Sequence, residues 1–164
     1  MKNKDINLLI WLILLNQNKE LITDSLTQLT NRRGFDVSLS KHINIANRYK
    51  RPLSLILLDV CSLKKINDSK GHIEGDKTLQ KIAQTLQDVS RNTDTICRIG
   101  GDEFALILPE TNMKQAQIYL QRITKLLQKD SLEIHYGISS YPSTELFQDA
   151  DQDLIKNKKL KGNT

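Results

Sequence analysis

The chain is poor in the residues that mark stapled, fibrous or membrane-spanning proteins. Its 164 residues include only two cysteines, Cys61 and Cys97, with no CxxC or Cys/His ligand spacing. Neither a disulfide framework nor a zinc site is indicated, and a reducing cytoplasm is the expected setting. Glycine (7) and proline (3) are too few for a collagen-like or low-complexity tract. The longest uninterrupted apolar run near the start, Leu8 to Leu15, has eight residues. A spanning helix needs roughly 20. The basic start MKNK followed by this run resembles a signal peptide, yet Asn16-Gln17-Asn18-Lys19-Glu20 offers no small-residue cleavage site. Two readings stay open for residues 1–22: a self-associating helical stalk, or a membrane-surface contact through residues 6–15. Aromatics are 5% of the chain, and none interleaves the one dense basic run, Lys156 to Lys161, so no nucleic-acid surface is expected.

The chain does have the composition of one globular domain. Apolar residues make up 38% and charged residues 26%, enough for a single core over 23–164 with a short appendage before it. A net charge of +5 favours anionic partners such as nucleotide phosphates. Phe35, Leu39, Ile43, Ala46 and Tyr49 recur at three- and four-residue steps, which predicts an amphipathic helix ended by Arg51-Pro52. Leu53 to Leu58 is a short apolar run, as in a strand buried on both faces, and it finishes in Asp59. A short helix from about Ser62 breaks near Gly71, and another opens around Gly75. Thr95 to Arg98 and Glu103 to Leu108 read as strands joined across Gly100-Gly101, where positive backbone angles would permit a tight hairpin. A helix carrying Ala116, Tyr119, Leu120, Ile123, Leu126 and Leu127 follows, then a strand near Leu132 to Ser139 and a last helix from about Asp149. This order predicts an α+β fold: a central sheet with helices packed against one face.

Each of the two sheet turns presents an acid, Asp59 and Asp102. Were their strands neighbours, the two carboxylates would converge into a Mg²⁺ (or Mn²⁺) site completed by water and substrate oxygens. The first-turn N–H groups near Ser62 and Leu63, with the side chain of Lys64, suit a polyphosphate. Gly100 and Gly101 leave room for a base or ribose lying on the hairpin. Asn67 and Asp76 can read a guanine edge, since a carboxylate accepts from two neighbouring N–H donors of that base.

Three ordered segments carry a family resemblance over about Asp24 to Asn163. They are DSLTQLTNRRGF (Asp24 to Phe35), LLDVCSLKKINDSKGHIEGDKTL (Leu57 to Leu79) and RIGGDEFALILP (Arg98 to Pro109). Together they resemble the GGDEF family of diguanylate cyclases, with a ferredoxin-like, nucleotidyl-cyclase palm sheet. The resemblance implies Asp59, Asp102 and the Val60 carbonyl as metal ligands, and Glu103 as a second acid that binds metal or accepts a proton. It implies Asn67 and Asp76 on guanine, and Lys64 and Lys158 on phosphates. It also implies GTP as substrate, cyclic di-GMP as product, a homodimer with half a site on each copy, and product inhibition at an R-x-x-D site, here Arg91 to Asp94.

The chain departs from the family pattern in two places. The strand-end D-x-D-x-F is Asp59-Val60-Cys61-Ser62-Leu63, lacking the second acid and the aromatic. Thiol sulfur is no ligand for Mg²⁺, so weakened turnover is expected, and a catalytically weak nucleotide-binding module is the alternative reading. At the C-terminus, ADQDLIKNKKLKGN keeps Lys158 but has Gly162 where the family has Arg. Losing that guanidinium removes a phosphate contact unless Lys159 or Lys161 substitutes. Asp153, Ile155 and Asn157 break the apolar pattern, so a loosely packed last helix is expected.

Overall fold

The computed structural model describes residues 21–61, 63–143 and 145–162. Ser62 and all but the last two residues of the expected N-terminal helix lie outside them. Among the described residues the elements are α1 (Arg32–Tyr49), β1 (Leu53–Val60), α2 (Leu63–Lys70), α3 (His72–Val89), β2 (Thr95–Arg98), β3 (Glu103–Pro109), α4 (Met113–Lys129), β4 (Ile134–Ser140) and α5 (Leu146–Gly162). The strands form one antiparallel sheet in the order β2-β3-β1-β4. The fold is α+β, as expected.

Helices cover both faces of this sheet, which corrects the one-face expectation. Alternation along the two central strands explains why. Ile56, Leu58 and Val60 of β1, with Phe104, Leu106 and Leu108 of β3, pack against Leu79, Ile82 and Leu86 of α3 and Ala116, Leu120 and Ile123 of α4. The residues between them, Leu53, Leu55 and Leu57 with Ala105 and Ile107, pack against Phe35 and Leu39 of α1 and Leu146, Ala150 and Leu154 of α5. A strand apolar at every position has two faces to bury.

Local chemistry sets the helix ends. Asn31 caps α1, its side chain accepting from the Gly34 N–H at 3.1 Å, and α1 ends at Lys50 in the left-handed conformation (φ 53°) before Pro52. Asn112 and Gln115 form a reciprocal capping box at α4. Four element starts differ from the periodicity: α1 begins at Arg32, α3 at His72, α5 at Leu146 and β4 at Ile134. For α3 the start is local, directly after Gly71 at φ 85°.

The hairpin expectation also changes. Among the glycines only Gly71 has positive φ (85°), so Gly100 and Gly101 do not serve left-handed backbone. A Cβ on Gly100 would stand 2.5 Å from Glu103 Oε2, whereas one on Gly101 would meet nothing within 4 Å. Gly101 opens onto unfilled space.

Both sheet edges are covered. At β2, the Thr30 N–H donates to the Ile96 carbonyl at 3.2 Å, and the Arg98 N–H donates to the Thr30 carbonyl at 2.8 Å. At β4, the Ile138 N–H donates to Asp153 Oδ2 at 2.9 Å, and Asn157 Nδ2 donates to the Tyr136 carbonyl at 3.0 Å. The last helix is therefore closely seated, against expectation. A Cβ on Gly137 would stand 2.0 Å from the Ala150 carbonyl oxygen, so α5 rests directly on β4 backbone.

Candidate active site

β1 and β3 pair in a register that sets Asp59 opposite Glu103, and the Val60 N–H donates to the Asp102 carbonyl at 2.9 Å. This backbone bond fixes the signature turn to the end of β1. Asp59, Val60 and Asp102 then line one cleft of about 520 Å³ together with Cys61, Leu63 and Lys64. Lys158 enters from α5, its ammonium 2.6 Å from Asp59 Oδ2. The expected metal and phosphate residues that lie within the described chain converge, except Glu103. Its carboxylate folds over Gly100, outside the cleft lining.

A hard divalent cation fits this donor set. Two carboxylates and the Val60 carbonyl are oxygen ligands of the kind Mg²⁺ takes, with the remainder left to substrate and water. No cluster of three acidic, His or Cys side chains arranged for a metal occurs among the described residues.

Three residues of the cleft escaped the sequence reading. His135 sits opposite Asp59 in the β1–β4 register, with Nδ1 3.8 Å from Asp59 Oδ1 and 3.3 Å from Cys61 Sγ. Only strand register brings it there, and no local motif signals it. Lys65 and Asp68 also line the cleft. The Cys61–His135 contact occupies the wall where the family's second acid would stand.

Asn67 and Asp76 lie beside one another through the α2–α3 junction, away from the cleft lining. A Cβ on Gly75 would stand 1.9 Å from Asn67 Oδ1, so only glycine lets α2 and α3 approach here. That buried oxygen has no hydrogen-bond partner, and Asp76 on the next residue is exposed. A buried polar atom without a partner is costly unless a ligand supplies one.

Arg98 is clamped at one end of the signature. It donates to Asp24 Oδ1 at 3.1 Å and to the Gly101 carbonyl at 2.8 Å. Asp24 also accepts from the Thr27 N–H at 2.9 Å and from Thr27 Oγ1 at 2.6 Å. Burial alone would push the Asp24 carboxyl up, but these donors outweigh it and hold the group below the usual carboxylate range.

A second pocket, lined also by Leu108 near the C-terminal end of β3, gathers Arg91 and Asp94 with Tyr119 and Arg122 of α4. Asp94 Oδ2 accepts from the Arg91 N–H at 2.9 Å, while Oδ1 is buried without a partner. Burial pushes Asp94 upward, only partly offset by Arg91. The sequence reading missed Arg122, whose one signal is its place three residues after Tyr119 on the same helix face.

The entry segment, the cleft and the signature turn match the GGDEF model, described as "Diguanylate cyclase, GGDEF domain", over residues 21–164. The chain belongs to the GGDEF family of diguanylate cyclases. It is similar to Diguanylate cyclase DosC of Escherichia coli K12, at 38% identity over 114 residues, 70% of this chain and 25% of that protein. The chain thus spans about a quarter of DosC. Among solved structures it resembles the GGDEF domain of TpbB (YfiN) from Pseudomonas aeruginosa, with TM-score 0.79, 32% identity and coverage of 84% of this chain and 89% of that one. It also resembles the GGDEF domain of DgcB from Caulobacter crescentus in complex with c-di-GMP, with TM-score 0.80, 26% identity and coverage of 87% and 89%. Among the described residues of this GGDEF domain, no helix is long and apolar enough to cross a membrane.

Proposed function

We propose that this GGDEF domain condenses two GTP molecules into cyclic di-GMP, each copy in a homodimer presenting one GTP to the other. The observation that carries the reading is the single cleft lined by Asp59, Val60, Asp102, Lys64 and Lys158. Asp59, Asp102 and the Val60 carbonyl would hold Mg²⁺, which when bound offsets negative charge on the phosphates. Lys64, Lys158 and the N–H groups around Ser62 and Leu63 bind the triphosphate. Asn67 and Asp76 take the guanine edge, the free Asn67 oxygen accepting from it. Gly101 leaves the ribose and base room above the turn, while the space at Gly100 is taken by Glu103.

The chemistry is two in-line displacements. Each 3′-hydroxyl oxygen forms a bond to the α-phosphorus held by the other copy. The bond from that phosphorus to the bridging oxygen breaks, and pyrophosphate leaves. Glu103, beside the turn, is the carboxylate assigned to take the hydroxyl proton. Dimerisation is part of this reaction, and residues 1–22 serve it as a stalk that raises the local concentration of the halves, ahead of the cyclase unit at 23–164.

Product returns to the second pocket, where Arg91 and Arg122 meet phosphate and the unpartnered Asp94 oxygen accepts from guanine. The test of the whole reading is incubation of purified protein with GTP and Mg²⁺. Cyclic di-GMP and two equivalents of pyrophosphate are expected, and Asp102→Ala abolishes both without unfolding the protein. A folded dimer that forms no product refutes the cyclase. In that case the Cys61–His135 contact, which replaces an acid in the cleft wall, favours the second reading of a GTP- or cyclic di-GMP-binding module.

A further inference from the structure

Lys158 can serve Asp59 only if α5 lies in one register on the sheet, and two polar side chains of α5 meet β4 where they would fix that register. Asp153 and Asn157 are one helical turn apart, about 6 Å along the axis. Their partners on β4, the Ile138 N–H and the Tyr136 carbonyl, belong to alternate residues on the outer edge of the strand, with about 4.5 Å between the two groups. Asp153 and Asn157 reach both, and the two bonds form together, at 2.9 and 3.0 Å. Gly137, between the two anchor points, lets the helix backbone come into contact.

Asn157 immediately precedes Lys158, and Tyr136 immediately follows His135. His135 pairs across the sheet with Asp59, and Asp59 receives the Lys158 ammonium at 2.6 Å. The path Tyr136, His135, Asp59, Lys158, Asn157 therefore closes on itself. A slip of α5 by one residue would break the Asn157 bond and swing Lys158 about 100° around the helix, away from the cleft.

We propose that Asp153 and Asn157 are positioning residues for the nucleotide site: they pin α5 to the outer edge of β4 so that Lys158 stands over Asp59. The inference rests on the GTP-site reading above. It gives a use to two positions where the family pattern is apolar, and it assigns them neither substrate contact nor a proton.

The test measures binding of 3′-deoxyguanosine triphosphate with Mg²⁺ by calorimetry, because this analogue lacks the attacking hydroxyl and cannot turn over. Asn157→Leu, of similar volume but without the donor, should weaken binding by about tenfold. Asp153→Leu should do the same, whereas Asp153→Asn keeps an acceptor for the Ile138 N–H and should bind like the parent. In a Lys158→Ala background, Asn157→Leu should add less than about twofold, since the group it positions is gone. Unchanged affinity in both leucine variants, or an undiminished tenfold loss in the Lys158→Ala background, overturns the proposal. A parent that binds the analogue but makes no cyclic di-GMP from GTP removes the cyclase reading and leaves the pin standing. A parent that binds no analogue removes both.

Discussion

Asp24 and Asp94 are carboxylates whose surroundings move them in opposite directions, and each direction carries a consequence. Asp24 is held low, since donors from Thr27 and Arg98 outweigh the effect of burial. A depressed folded pKa contributes stability that is present above the unfolded value of about 3.9 and lost as pH falls through the folded value. Asp24→Asn should therefore cost about 2 kcal/mol at pH 7, read as a lower urea midpoint, with parent and variant converging in strong acid. Asp94 is pushed up by burial, with Arg91 compensating in part. Its contribution runs the other way: stability is lost as pH rises from the unfolded value to the folded one, and Oδ1 is buried without a partner. Asp94→Asn should melt at or above the parent temperature without ligand, yet lose the upward thermal shift that cyclic di-GMP produces in the parent. Arg91→Ala should relieve product inhibition while leaving the initial rate unchanged, a difference read from progress curves with and without added product.

At the scale of elements, α5 and β4 show how backbone contact replaces the apolar packing that a helix face usually supplies. The sequence pattern at Asp153, Ile155 and Asn157 predicts loose packing, because it counts only apolar positions. The structure instead has two polar side chains at helical spacing that bond the Ile138 N–H and the Tyr136 carbonyl on the outer edge of β4. Gly137→Ala tests the contact between them. The added methyl would meet the Ala150 carbonyl oxygen and the Leu154 amide, both backbone, at 2.0 and 2.4 Å. Backbone cannot rotate aside as a side chain can, so a loss of about 3 kcal/mol or more is expected, seen as a large drop in melting temperature. The same reasoning separates the glycines of the site. Gly75 makes room for Asn67, while Gly101 faces open space.

At the scale of the molecule, the proposed half-site on each copy would make turnover second order in protein when the dimer is sparse. Specific activity with GTP and Mg²⁺ should rise with protein concentration and level off as dimer accumulates, and a flat profile from a monomeric sample would contradict the shared site. The elements, the α+β class and most of the cleft residues were legible in the sequence, because helical period, the apolar run of β1 and the three motif segments are local signals carried by neighbouring residues. Asp59, Lys64 and Asp102 could be named from strand ends and turns alone. The helices on both sheet faces, the Gly100-Gly101 bend without positive φ, the His135–Cys61 contact, the gathering of Arg122 and Asp94 in one pocket and the hydrogen bonds of α5 to β4 could not. Each depends on which strand edges meet and how closely two backbones approach, distances set by packing between segments far apart in the chain. RIGGDEF marked where the turn lies, and only the β1–β3 register and the seat of α5 brought Lys158 to Asp59 beside it.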